Sequence, residues 1–204
     1  MRIAVTLLVL LLTAPLLAQD ADRHFNAFVS RVDIDSADLG DGFETDFESG
    51  TGFGFAADRS FNRFLSAEVA VFSVRSEAGL LFEGAAPFNL GHLNLVPVMI
   101  GVQAHLTGRS RIDPYVGAGA AYVMANDLHS EDLDVVGLGR IEIDSELTYY
   151  ANAGIAFELT RGLGIVVDGR FVQYEPSTQA AGTGEEEDLD LSPLIVSAGL
   201  RFRF

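Results

Sequence analysis

Over residues 194–204 every second position is apolar. Leu194, Val196, Ala198, Leu200, Phe202 and Phe204 share one parity, and Ile195, Ser197, Gly199, Arg201 and Arg203 share the other. A period of two with two arginines on one side predicts a β-strand with one oily and one wet face. The alternation recurs over 164–174, where Ile165, Val167, Gly169 and Phe171 oppose Val166, Asp168, Arg170 and Val172. It recurs again over 147–159, 115–123, 93–106 and 65–72, with weaker versions over 53–58 and 24–32. Eight strands result.

The links between these strands alternate in length. Short ones fall at 59–63, 107–112 and 160–163; long ones fall at 33–51, 75–91, 126–145 and 175–188. Short turns at one end and long loops at the other are the rhythm of an outer-membrane meander. The fold class expected is therefore all-β: an eight-stranded antiparallel up-and-down transmembrane β-barrel with both ends of the chain on the periplasmic side. A soluble sandwich also hides one face of each strand, but nothing in it imposes this alternation.

The N-terminus supplies the route to such a location. Met1 and Arg2 precede a Leu-rich apolar run, which ends near Pro15 and Ala18. That order is expected of a secretory signal peptide over 1–18, leaving 19–204 as the barrel domain. Beyond it no uninterrupted apolar stretch is long enough for a helical span. The chain is 49% hydrophobic, yet it has 29 acidic residues against 13 arginines and no lysine. An apolar but acidic exported chain fits a barrel wall carrying polar loops. The acidic balance also argues against nucleic acid as a partner. With no Cys there is neither a disulfide framework nor thiolate chemistry.

The segment Asp113-Pro114-Tyr115-Val116-Gly117-Ala118-Gly119-Ala120-Ala121-Tyr122 resembles a motif of the OmpW family of small outer-membrane barrels. Leu95-Val96-Pro97, Asn152-Ala153-Gly154 and Leu191-Ser192-Pro193, followed by Gly199-Leu200-Arg201-Phe202, add to the likeness. The chain departs from the family's habit in having no Trp. The resemblance implies a narrow barrel in the cell outer membrane. It also implies passage of small hydrophobic solutes from outside, with sideways escape into the membrane. A C-terminal aromatic such as Phe204 resembles the signal read by the outer-membrane assembly machinery. Outer-membrane lipids are the other expected partner.

An eight-stranded barrel has a bore that side chains can fill. Parity and strand direction sort its lining into two levels. Glu68, Gln103, His105, Glu158, Asp168, Arg170, Arg201 and Arg203 are expected inside, near the periplasmic turns. Charges so confined should pair, because an unpaired buried charge is very unfavourable. That pairing makes a structural plug; a proton or ion relay is the alternative. Phe72, Leu95, Pro97, Met99, Val123, Tyr150, Val172, Tyr174 and Ile195 are expected nearer the outside. They form an apolar upper lumen suited to a small hydrophobic ligand, or else they pack against one another. Pro97 lacks the N–H of a ladder bond, so a local break in wall pairing is expected there, with a possible lateral exit beside it.

The acidic loops, with Asp33, Asp35, Asp38, Asp41, Glu44, Asp46 and Glu48 in the first and Glu185, Glu186, Glu187, Asp188 and Asp190 in the last, read as solvated surface. Bridging by divalent cations to outer-leaflet lipid is the other reading. Ala37 and Gly40 break the spacing of a calcium loop, so no metal or cofactor is expected. His129-Ser130-Glu131 are adjacent in a loop, and adjacent residues do not assemble a triad. The expectation is a channel or binding pore and not an enzyme. The rival is a structural or adhesive barrel, plugged from end to end.

Overall fold

In the computed structural model the residues described are 22–34, 38–40, 43–47, 49–82, 88–108, 110–126, 141–180, 186–188 and 191–204. The expected signal peptide and the His129–Glu131 run lie outside them. The strands are β1 (Arg23–Ile34), β2 (Asp38–Gly40), β3 (Phe43–Phe47), β4 (Gly50–Ser60), β5 (Leu65–Phe82), β6 (Phe88–His105), β7 (Ile112–Ala125), β8 (Ile141–Ile143), β9 (Glu146–Thr160), β10 (Leu163–Val172), β11 (Ser177–Ala180), β12 (Glu186–Asp188) and β13 (Pro193–Arg203). Eight of them form the wall in the order β1-β4-β5-β6-β7-β9-β10-β13, and β13 pairs back onto β1. Every wall pairing is antiparallel. No helix among the described residues is long and apolar enough to cross a membrane.

The alternation of the sequence becomes the two faces of this wall. Val29, Ile100, Val102, Val116, Val196 and Leu200 point outward and are exposed, whereas Phe28, Ser30, Met99, Gln103, Tyr115, Ile195, Ser197 and Arg201 beside them are buried in the bore. Among the described residues fifteen polar or charged ones are buried, including Arg170, Glu68, Asp168 and Gln103. A soluble protein would place these two sets the other way round. Oily outside and polar inside is the arrangement that lipid demands.

Large inward side chains lie over glycines on neighbouring strands. Phe72 on β5 stands opposite Gly54 on β4, Tyr115 on β7 opposite Gly154 on β9, and Phe28 on β1 opposite Gly199 on β13. A Cβ on Gly54 would lie 2.3 Å from the Phe72 ring, and one on Gly154 would lie 2.4 Å from the Tyr115 hydroxyl. An aromatic ring covering a cross-strand glycine fills the space that the missing side chain leaves. The glycines of the 113–122 motif follow the same logic: Gly117 and Gly119 keep β7 low, so that groups from other strands reach the middle of the bore.

The turns at the periplasmic end are tight for identifiable reasons. Asn62 accepts hydrogen bonds through its side-chain oxygen from the backbone N–H of Phe64 and Leu65, closing the β4–β5 turn. Gly108, with φ of 61°, takes the left-handed position in the β6–β7 turn.

One connection differs from expectation. The long link placed at 75–91 is mostly ladder: β5 runs on to Phe82 and β6 begins at Phe88. Strand β3 pairs along the extension of β5, from Phe47 opposite Ala78 to Phe43 opposite Phe82. Gly79 and Gly91 read as loop chemistry in the sequence, but backbone pairing along β5 overrides that local preference. The other three long links also carry short strands, with β8, β11 and β12 forming a separate small sheet.

Gly119 tests how closely the wall is fitted. A Cβ there would lie 2.1 Å from the Ile100 carbonyl oxygen and 2.5 Å from the Gly101 Cα. Both are backbone atoms that cannot swing aside. Gly119→Ala is expected to destabilise the barrel by about 1–3 kcal/mol, read as a lower urea midpoint for unfolding from lipid vesicles.

Candidate functional site: the lumen

The middle of the bore is closed by a single buried strut. Arg170 on β10 has no exposed surface. Its two terminal nitrogens bond the two carboxylate oxygens of Glu68 on β5, at 2.7 and 2.8 Å. In the ring of eight, β10 and β5 are four strands apart, so this bidentate pair runs across a diameter. The Arg170 Nε donates to Asp168 at 2.6 Å. Glu68 also accepts from Gln103 at 2.7 Å and from the Tyr150 hydroxyl at 3.3 Å. Asp168 accepts from the Tyr115 hydroxyl at 2.7 Å and from Asn152 at 3.0 Å. The charges are thus paired and their remaining lone pairs largely used, as burial requires.

Aromatic rings complete the enclosure. The Arg170 guanidinium carbon lies 5.1 Å from the centre of the Phe72 ring, and 5.9 Å from those of Phe28 and Tyr150. Phe28 and Phe72 stack on each other at 5.6 Å. Ring faces carry partial negative charge, so they favour a guanidinium even without water. The Met99 sulfur is 4.0 Å from an Arg170 nitrogen. Phe72, Tyr150 and Met99 therefore belong to the strut as much as to the upper lumen. The expected division into charged and apolar levels is blurred because the cation recruits ring faces and a soft sulfur around itself.

A second polar cluster lies nearer the periplasmic turns. Arg201 on β13 donates to Asn26 at 2.9 Å and lies 3.7 Å from both Asp58 and Asp113. Asn26 in turn donates to Asp58 at 2.8 Å. His105 links Ser66, at 2.9 Å from Nε2, to Asp113, at 2.8 Å from Nδ1. The three lie in the hydrogen-bonded order of nucleophile, base and acid. Ser66, however, has no exposed surface, so a substrate carbonyl has no approach to its hydroxyl. Glu158 and Arg203 do not join the buried group. Their side chains are 36% and 43% exposed and pair at 3.5 Å on the periplasmic rim, with Arg203 also held by Asp22 at 2.9 Å. Parity assigned them the right face, but both stand at strand ends, where the bore opens to water.

The nine apolar positions expected in the upper lumen are all buried. Leu95, Val123, Val172 and Ile195 are joined there by Val32, Ile34, Val74, Leu93 and Leu191. Tyr174 sits just past the end of β10. Its hydroxyl donates to the Asp144 carbonyl at 2.7 Å, its backbone N–H donates to Ser192 at 3.0 Å, and its carbonyl accepts from the Leu191 N–H at 2.8 Å. These three bonds tie the β10 and β13 sides of the barrel mouth to the β8–β9 connection. Pro97 leaves the break that its missing donor foretells. The β5–β6 ladder pairs Val71 with Val98 and Val74 with Leu95, but lapses at Phe72–Ser73 opposite Val96–Pro97. The register is the same on both sides of the gap, and the β7 edge stays paired, with Pro97 opposite Val123.

Sequence reasoning missed Asn26, Phe28, Asp58, Ser66, Asp113, Tyr115 and Asn152. Parity alone could have found most of them: counting back by twos from Gly119 and Gly117 gives Tyr115 and Asp113, and counting on from Tyr150 gives Asn152. Among the described residues no group of three or more potential metal ligands converges.

A closed eight-stranded wall, lipophilic outside and polar inside, defines an outer-membrane β-barrel. The OmpW family profile matches residues 23–204, and the chain belongs to the OmpW family. No curated protein matches the chain. Among solved structures, OprG from Pseudomonas aeruginosa aligns with a TM-score of 0.77 at 16% identity, covering 90% of this chain and 96% of that one. Neisserial surface protein A aligns at 0.59 and 15% identity, covering 89% and 97%. The outer-membrane protein AlkL aligns at 0.59 and 18% identity, covering 93% and 94%. At these identities the likeness is one of fold. The protein resides in the outer membrane.

Two predictions follow from this geometry. Arg170→Met leaves Glu68 and Asp168 facing each other without a counter-charge and is expected to cost about 3–5 kcal/mol of stability. Adding Glu68→Gln should recover part of that loss, which a double-mutant cycle on urea midpoints would resolve. At the mouth, burial pushes the Tyr174 phenol well above its usual value. The folded state then holds this proton more tightly than the unfolded chain. The resulting stabilisation is present below a pH of roughly 10 and is lost as pH rises further. Tyr174→Phe should remove this alkaline loss, and the difference between the two unfolding profiles measures it.

Proposed function

We propose that this barrel carries small hydrophobic molecules from the outer face into the membrane by a lateral route. The observation that carries the reading is the lapse in the β5–β6 ladder at Pro97, beside the apolar upper lumen. The diametric strut occupies the middle of the bore, so on this reading a solute admitted from above leaves through the wall. Leu95, Val123, Val172 and Ile195, with Phe72 and Met99 below them, offer a surface that makes no polar demand on a ligand. Those side chains touch one another in the closed form, so admission requires the mouth to loosen at Tyr174 and the chains to part. The wall is weakest where two ladder positions are already unpaired.

The rival reading, a structural barrel without transport, is favoured by one specific observation: the nine apolar positions are all buried. Pro97→Val separates the two readings, because it restores the missing N–H and allows the ladder to close. In proteoliposomes, uptake of a fluorescent apolar solute is expected to slow several-fold in this variant while single-channel conductance stays absent. Equal uptake in both proteins would end the lateral proposal. Absence of both uptake and solute binding in the native protein would leave the structural reading.

A further inference from the structure

We propose that Arg23 and Arg59 form a phosphate-binding site for an anionic phospholipid of the periplasmic leaflet. The two arginines are direct cross-strand partners, on β1 and β4, on the outward face at the periplasmic end of the wall. Like charges directly opposite each other destabilise a sheet. Neither guanidinium has an acidic partner among the described residues. The nearby acids are engaged elsewhere, Asp22 with Arg203 and Asp58 with Asn26 and Arg201. A bound anion would remove the repulsion, and two guanidinium forks suit phosphate oxygens.

The surface next to the pair fits a lipid better than free phosphate. A depression joins Arg23 and Arg59 to Ala57, Ala67 and Phe204, with His24 and Asp58 at its inner edge. Ala67 lies beside Arg59 in the same cross-strand row, on β5. Ala57 stands opposite Phe25, one outward position further into the wall. Phe25 stacks on Phe55 at 5.8 Å to form one flank. Two small residues between aromatic flanks leave a slot running from the guanidiniums toward the bilayer centre. A phosphate at the rim and an acyl chain along the alanines would occupy both parts at once. Two other rim arginines lack this arrangement: Arg203 is paired with acids, and Arg63 lies over the Phe64 ring.

The test uses native mass spectrometry of the folded full-length barrel, with phosphatidylglycerol, phosphatidylcholine and inorganic phosphate as probes. Heat-modifiable gel mobility confirms folding of each variant. The native protein should retain one phosphatidylglycerol in preference to phosphatidylcholine. The double variant R23Q/R59Q should weaken that retention roughly tenfold or more, and R63Q should not. Equal retention by the native and double variants would overturn the proposal. So would displacement of the lipid by an equal concentration of inorganic phosphate, because the acyl slot would then contribute nothing. Unchanged lipid retention combined with slowed assembly of R23Q/R59Q would overturn it in favour of a contact with the assembly machinery.

Discussion

The structure depends on one buried interaction, the Arg170–Glu68 pair spanning the bore. An isolated guanidinium in a dry interior is untenable, so everything within reach of Arg170 is arranged to compensate it. Two carboxylates accept three of its five N–H groups, three rings lie against its faces, and Gln103, Asn152, Tyr115 and Tyr150 bond what remains of the carboxylates. Strand number and stagger set the width of the barrel, and the pair, joining opposite strands, holds it at that width. A wall that widened or sheared would separate groups that cannot be left apart.

That constraint explains where the glycines fall. A ring of eight strands leaves little volume inside. To seat an arginine, two carboxylates and four aromatic rings in one layer, neighbouring positions must give up their side chains. Gly54 yields to Phe72, Gly154 to Tyr115 and Gly101 to Tyr150. The 113–122 motif thus has a physical reading. Tyr115 points inward to hold Asp168, and Gly117 and Gly119 clear the space above it.

Much of this was legible in the sequence, and the part that was not shares a cause. Strict alternation fixed the wall, because lipid outside and a filled bore inside leave each residue one choice of face. The same rule located Glu68, Asp168 and Arg170, and the missing N–H of Pro97 marked a gap in the ladder. It could not say how far up the bore each residue stands, because height depends on strand stagger, which parity does not encode. Glu158 and Arg203 therefore slipped from the lumen to the rim, and Phe72 and Tyr150 moved from the apolar chamber onto the strut. The 75–91 link was misjudged because Gly79 and Gly91 speak for a loop, whereas pairing along β5 decides for a strand.

Strut and ladder gap also bear on each other through Phe72. Its ring lies over Arg170, and its backbone stands at the unpaired position opposite Pro97. On the proposed lateral route a solute pressing toward the gap would have to move this ring. Displacing it uncovers one face of a buried cation, whereas the pairing with Glu68 and Asp168 holds the cation itself in place. The strut would then act as a fixed floor and Phe72 as the part that yields, so that a lateral opening need not open the axis to water. On the proposed lateral route the two features are compatible for that reason: the ion pair would hold the bore shut and the ladder gap would give way to the solute, through different bonds of the same layer.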